Sequence, residues 1–252
     1  MNPKNYVQFL QDGYLVLDDF LSEKEVEELR KAGNDLTQNI PDESHRALFS
    51  TTDTHHQSKD KYFLESSDKI SYFFETGALD KDGKLLVEPQ VALNKVGHAL
   101  HWLNPVFKKY TFFVPHQDAT FLYTEPVKLI GFWIALEDAT LENGCLWFAP
   151  GSHRGGVHRR FIRNSDSNSD ELLIYDSPAP CYPTSNFRSV PVSKGSCVLI
   201  HGQVVHKSDT NKSQHSRHAY TFHIVDMNGT KYSPENWLQT KPEQPFPQLY
   251  KN

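Results

Sequence analysis

The stretch "FFVPHQDATFLYTEP", Phe112 to Pro126, sets His116 and Asp118 one residue apart in an apolar, aromatic-rich run. On an extended strand, residues i and i+2 share a face. The spacing therefore predicts an imidazole and a carboxylate side by side, two of the three ligands of a metal site. A hydrogen-bonded polar pair is the other reading of an isolated H-x-D, because buried polar groups ordinarily find partners. A third ligand decides between the two. The stretch "CVLIHGQVVHKSDTNKSQHSR" offers His206, far along the chain from His116, as facing strands of a double sheet require. Two histidines and one carboxylate with open coordination positions form the facial triad of non-haem Fe(II) oxygenases, although zinc also accepts that donor set. Arg217, eleven residues beyond His206, favours iron. Oxygenases that consume 2-oxoglutarate need a cation for its distal C5 carboxylate, and a guanidinium meets a carboxylate bidentately.

These residues need short strands to hold them, and the chain supplies them from about Lys109 onward. "YTFFVPH", "LIGFWIALED", "GCLWFAP", "SCVLIHG" and "AYTFHIVD" read as strands separated by turns such as "ENG" and "PGSHRGG". That pattern predicts a mainly β fold, a jelly-roll double sheet with flanking helices. Ahead of it, Tyr6 to Gln11 reads as a helical turn closed by Gly13, and "YLVLDDF" as a strand. Ser22 and Glu25 fit a capping box that opens a helix through "VEELRKAGNDL". Residues 41 to 61 read as a polar surface loop. "YFLESSDKISYFFETGALDKDGKLL" reads as two paired segments about "DKDG", and "ALNKVGHALHWLNPVF" as a helix ending before Pro105. We expect one domain over 1–252, with a helical and strand prefix (1–108), a jelly-roll core (109–226) and a C-terminal tail (227–252).

Composition agrees with one core. The 252 residues are 38% hydrophobic and 12% aromatic, which excludes a disordered chain. A net charge of -5, with no basic cluster longer than "HRR", argues against nucleic acid as a partner. Three cysteines, Cys145, Cys181 and Cys197, are too few and odd in number for a disulfide framework, and point to a reducing compartment. No signal-peptide pattern, membrane-length apolar run or peroxisomal C-terminal tripeptide is present, so a cytoplasmic location is expected.

Longer motifs carry a resemblance. "FLQDGYLVLDDFLS", "NKVGHALH", "PHQDATFLYTEP", "GFWIALEDATLENGCLWFAPGSH", "VLIHGQVVHKS", "SRHAYTFH" and "SPENWLQ" occur in order along nearly the whole chain. By them the sequence resembles the phytanoyl-CoA dioxygenase family. The resemblance implies a double-stranded β-helix and a 2-oxoglutarate-dependent non-haem iron dioxygenase. It implies O2 and a small-molecule substrate as partners; composition and hydropathy point to neither nucleic acid nor membrane, and a monomer is expected. His116, Asp118 and His206 would ligate Fe(II), and Arg217 with Ser208 would hold the C5 carboxylate of 2-oxoglutarate. Lys95 and Trp133 match further co-substrate positions, and Gln117 sits within the binding segment between the two ligands. Between "NPVF" and "VPHQD" this chain has only "KKYTFF". Relatives are longer there, so an early core strand is expected to be missing, with an unpaired edge as the consequence.

Other residues invite chemistry and have plainer readings. His201 is an alternative third ligand, but it ends the apolar strand "CVLIH" before a glycine turn. His98 and His101, at i and i+3, suggest a second metal site or one packed helix face. His55 and His56 read as a solvated loop pair. His153 shapes the "PGSHRGG" connection, with a substrate-facing role as the alternative. Cys145 and Cys197 read as buried apolar residues rather than nucleophiles.

Overall fold

The computed structural model describes residues 2–38, 40–42, 46–49, 58–107, 117–241 and 245–249. Helix α1 (Pro3–Asp12) is capped by the Asn2 side chain, which accepts from the Asn5 N–H. It ends at Gly13, whose φ of 83° is a left-handed conformation that a side chain would strain. Strand β1 (Tyr14–Leu17) follows, then α2 (Glu23–Thr37) behind the expected capping box. Ser22 Oγ accepts from the Glu25 N–H, and the Ser22 N–H donates to the Glu25 carboxylate at 2.9 Å.

The next stretch departs from the sequence pattern. Strands β2 (Ala47–Leu48), β3 (Ile70–Phe74) and β4 (Leu93–His98) form a small sheet in the order β2-β3-β4. The stretch read as a helix is therefore strand β4, and only Leu100–Leu103 is helical. Leu93, Val96, Leu100 and Leu103 recur at helical spacing. Val96 is β-branched and Gly97 disfavours a helix, so the pairing that β3 offers overrides the periodicity. Lys61–Leu64 is a helical turn rather than a paired segment, and about "DKDG" only a Leu79–Leu85 bridge forms. Much of the polar 41–61 loop, with His55 and His56, lies outside the described residues.

The remaining strands are β5 (Thr124–Glu125), β6 (Leu129–Ala135), β7 (Leu146–Phe148), β8 (Phe161–Arg163) and β9 (Leu173–Tyr175). They continue with β10 (Arg188–Val190), β11 (Cys197–His201), β12 (His206–Ser208), β13 (Ala219–Val225) and β14 (Lys231–Tyr232). Two antiparallel sheets, β1-β11-β6-β13 and β10-β7-β12, face each other as a jelly roll. Period-two alternation builds both of their layers. Val198 and Ile200 of β11 join Trp133 and Ala135 of β6 on the inner face, against Leu146, Phe148 and Val190 of the second sheet. Cys197 and Leu199 point the other way with Ile134, Tyr220 and Phe222, and are covered by Phe9 of α1 and Val26 and Leu29 of α2. Leu29 has no exposed surface, and truncating such a residue to Ala costs about 2–5 kcal/mol.

The sheets draw on every part of the chain: β1 from the N-terminal stretch pairs with β11, and β14 from the C-terminal stretch pairs with β5. The short segment 108–114, where the early strand was expected to be missing, lies outside the described residues. Among the described residues β12 bonds only to β7, and β13 only to β6. No helix of the described residues is long and apolar enough to cross a membrane.

Candidate active site

Asp118 was expected on a strand. Instead it opens a 3₁₀ turn, Asp118–Thr120, whose backbone is anchored by the Ala119 N–H donating to the Gly202 carbonyl at 2.8 Å. That bond ties the turn to the connection between β11 and β12, and so brings Asp118 towards His206. Both side chains are buried, at 2% and 5% exposure. His116 lies outside the described residues.

His206 begins β12, opposite Phe148 of β7, and its ring stacks on that phenylalanine at 5.4 Å. Its Nδ1 is 3.0 Å from the Val204 carbonyl oxygen. A carbonyl can only accept, so Nδ1 carries the proton and the lone pair stays on Nε2. Burial lowers the His206 pKa, with the Asp118 charge opposing, which favours the neutral ring that a metal requires.

One residue of this site was missed in the sequence. His223 of β13 places Nε2 3.0 Å from Asp118 Oδ2, and its side chain is only 7% exposed. It pairs across the sheet with Gly131, where a Cβ would stand 2.6 Å from Asp118 Oδ2. The glycine is thus the space in which the carboxylate sits. The signal was available: Arg217, Ala219, Thr221 and His223 alternate along "RHAYTFH", and even spacing from Arg217 puts His223 on its face.

Arg217 lies just ahead of β13, with its guanidinium carbon 5.5 Å from the Trp133 ring centroid. Trp133 faces Thr221 across β6 and β13 and is 2% exposed. Desolvation pushes the Arg217 pKa down from its ordinary value. Among the described residues no carboxylate stands within ion-pair distance of it. Ser208 lies nearby through Gly144 and Cys145, with its hydroxyl donating to the Gly144 carbonyl at 2.8 Å. A half-buried, desolvated cation with no counter-charge among the described residues is a receptor for an anion.

The other expected residues are placed as follows. Lys95 is on β4, with its ammonium 4.9 Å and 5.8 Å from the Phe49 and Phe73 rings, which pack in one cluster with Ala119. Burial pushes its pKa down to about 7. Gln117 spends its side chain on the backbone: Nε2 donates to the Gly156 and Gln203 carbonyls, and Oε1 accepts from the His158 N–H. His201 faces the helix side of the main sheet, 4.9 Å from the His153 ring and 6.0 Å from Phe9, with its Nδ1 accepting from the Gln203 N–H. That is the face away from Asp118 and His206. His98 is a buried strand residue among Phe63, Phe73 and Trp237, its Nδ1 2.8 Å from Ser66 Oγ. His153 holds the Leu10 carbonyl at 3.1 Å, a structural tie to α1. Cys145 and Cys197 are buried and free, and Cys181 is exposed and free.

Comparison with known proteins gives concordant matches. The family model described as phytanoyl-CoA dioxygenase matches residues 9–219. Phytanoyl-CoA dioxygenase domain-containing protein 1 of Bos taurus is 43% identical, with 99% of each chain covered. The homologue of that protein in Caenorhabditis elegans is 40% identical over 97% of this chain and 98% of its own length. A phytanoyl-CoA dioxygenase of Arabidopsis thaliana is 40% identical over 95% and 94%. The bovine alignment spans 288 positions against 252 residues here, so at least 36 positions have no counterpart in this chain. Among solved structures, the epimerase SnoN of nogalamycin biosynthesis, in complex with Fe3+, alpha-ketoglutarate and nogalamycin RO, superposes with a TM-score of 0.51. It is 18% identical over 95% of this chain and 89% of its own. The alpha-ketoglutarate-dependent carbocyclase SnoK superposes at 0.50, with 16% identity over 93% and 87%. These two likenesses concern the fold.

Proposed function

The chain belongs to the phytanoyl-CoA dioxygenase family, whose members are 2-oxoglutarate-dependent non-haem iron oxygenases, and we propose that it hydroxylates a small organic substrate by that chemistry. The observation that carries this reading is Arg217. A desolvated guanidinium on Trp133, on the same sheet face as His223 and with no carboxylate in ion-pair distance among the described residues, suits the distal carboxylate of a 2-oxo diacid. Metal-assisted hydrolysis at zinc has no use for it.

The described donors fit the metal as far as they go. Asp118 supplies a buried carboxylate and His206 a neutral imidazole with its lone pair on Nε2. Among the described residues no group of three His, Cys, Asp or Glu gathers by itself. His116 would complete the set. When bound, Fe(II) would activate O2, the oxidant, with 2-oxoglutarate giving up two electrons as it is decarboxylated to succinate and CO2. The protein binds, orients and shields. Arg217 and Ser208 would fix the far end of the diacid, Lys95 would add a second positive charge, and Trp133 would wall one side. Gln117, through its three backbone bonds, would hold the turn that carries Asp118. The three free thiols support the expectation of a reducing, cytoplasmic setting.

The test is direct. The purified chain with Fe(II) and 2-oxoglutarate should form succinate, and Asp118→Ala, His206→Ala and His116→Ala should each abolish stoichiometric iron uptake. A chain that binds iron and 2-oxoglutarate without forming succinate would be a binding or regulatory variant, a reading that the missing positions favour. A chain that binds neither overturns the proposal.

A further inference from the structure

Beside the site lies an open cleft of about 600 Å³, the size of a small-molecule pocket. Its floor is joined to Asp118 by one residue. Gln117, the chain neighbour of Asp118, hydrogen-bonds Gly156, His158 and Gln203, and all three line the cleft. Through Gln117, an occupant would be linked to the turn that carries Asp118. The lining is mostly polar, and its aliphatic side chains are Pro126, Val127 and Val157, beside the Tyr123 ring.

The charges in the cleft are unequally committed. Arg160 is engaged: Nη1 is 2.9 Å from Glu235 Oε2, Nη2 donates to Ser233 Oγ at 2.8 Å, and its carbon lies 4.4 Å from the Tyr123 ring centroid. Both acids of the lining already accept hydrogen bonds, Asp176 from the Arg160 N–H at 2.8 Å and Glu125 from the Tyr123 hydroxyl. Arg159 is different. Its guanidinium carbon lies over Tyr175, 3.7 Å from the ring centroid, and among the described residues no carboxylate is within ion-pair distance. Beside it His158 Nδ1 is 2.5 Å from the Tyr182 hydroxyl. The Arg159 charge reaches that phenol, opposing the rise that burial gives its pKa. A guanidinium held on an aromatic face keeps its edge N–H groups for a planar anion.

We propose that this cleft seats the primary substrate, and that the substrate is a small polar molecule whose carboxylate or phosphate group lands on Arg159. The inference rests on the dioxygenase reading for the word substrate, and on the cleft itself for the anion. It excludes a long acyl chain as the portion bound here, because so polar a lining offers such a chain little apolar contact.

Calorimetry on the full chain, loaded with Fe(II) and saturating 2-oxoglutarate under argon, tests it with acetate and with methyl phosphate as separate probes. We expect one saturable site for at least one probe, weakened at least tenfold in Arg159→Ala and only partly recovered in Arg159→Lys. Which probe binds more tightly decides between carboxylate and phosphate. Under air, small carboxylates or phosphate monoesters should raise succinate formation where their neutral esters do not. No saturable binding to the wild type, or binding unchanged in Arg159→Ala, overturns the proposal, as does equal stimulation by uncharged acyl esters. A chain that takes up neither iron nor 2-oxoglutarate, yet binds acetate or methyl phosphate through Arg159, would sink the dioxygenase reading and keep the anion site.

Discussion

Asp118 and His223 meet across the edge of the main sheet, Oδ2 to Nε2 at 3.0 Å, in a space that exists because residue 131 is glycine. A carboxylate that ligates a metal through one oxygen needs its other oxygen oriented, and partners of this kind commonly matter about 10–100-fold in metal affinity. His223→Ala should therefore weaken Fe(II) binding by about that factor, read by competition with a colorimetric chelator, and His223→Gln should recover part of it through its amide N–H. Gly131→Ala should do the same from the other side. A Cβ 2.6 Å from Oδ2 displaces the carboxylate, and overpacking of this kind costs about 1–3 kcal/mol of stability. Unchanged iron affinity in both variants would show that the pairing does not serve the metal.

Arg217→Ala should leave iron uptake intact and weaken 2-oxoglutarate binding by about 2–5 kcal/mol, the usual cost of truncating one partner of a desolvated charge pair. Arg217→Lys should recover only part, because an ammonium cannot reproduce the fork that lies over Trp133. Titration of the iron-loaded variants with 2-oxoglutarate under argon reads both effects. An unchanged dissociation constant in Arg217→Ala rules out its role.

Lys95 gives a pH dependence with a definite sign. Burial lowers its pKa from 10.5 to about 7, so the ammonium that would meet an anionic co-substrate is lost as pH rises through about 7. Affinity for 2-oxoglutarate should fall from pH 6 to pH 8, and Lys95→Met should bind weakly with that dependence flattened. Folding has its own linkage. Between about 7 and 10.5 the unfolded chain holds the extra proton, so stability rises with pH across that window, and the cost of burying the charge is full below it. Thermal melts of wild type and Lys95→Met at pH 6 and pH 9 should therefore differ more at pH 6. A 2-oxoglutarate affinity that is flat with pH in the wild type would remove Lys95 from the co-substrate site.

What the sequence made legible follows from which interactions are local. The capping box at Ser22 and Glu25 and the Gly13 stop depend on neighbours in the chain, the apolar runs of β6, β11 and β13 read as strands without their partners, and the structure has all of them where the residue pattern put them. β4 was misread because its partner β3 is set by tertiary pairing, which helical spacing of Leu93, Val96 and Leu100 conceals. The 3₁₀ turn at Asp118 was hidden for the same reason: its anchor is the Gly202 carbonyl, 83 residues away. His206 and Arg217 were chosen by chemistry and sit on facing elements as a double sheet demands. His223 was overlooked because only the cross-strand register, with Gly131 opposite, shows that its alternation leads to Asp118.

The short segment from Lys108 to Val114 sets the last expectation. Its structure lies outside the described residues; among those described, β12, which carries His206 and Ser208, and β13, which carries His223, each have a partner on one edge only. At least 36 positions of the bovine relative have no counterpart in this chain. A strand lost beside these edges would leave backbone donors and acceptors unpaired and the ligand turn less restrained. Coupled oxidation depends on excluding water and on ligands held within about half an ångström. We therefore expect succinate formation to outrun substrate hydroxylation in this chain, even with iron bound. Grafting the corresponding longer segment of the bovine relative between Phe107 and Pro115 should raise the coupling ratio and the melting temperature together. If the unmodified chain already forms one succinate per hydroxylated product, and the graft changes neither quantity, the short connection closes the site unaided and the edges of β12 and β13 need no further strand.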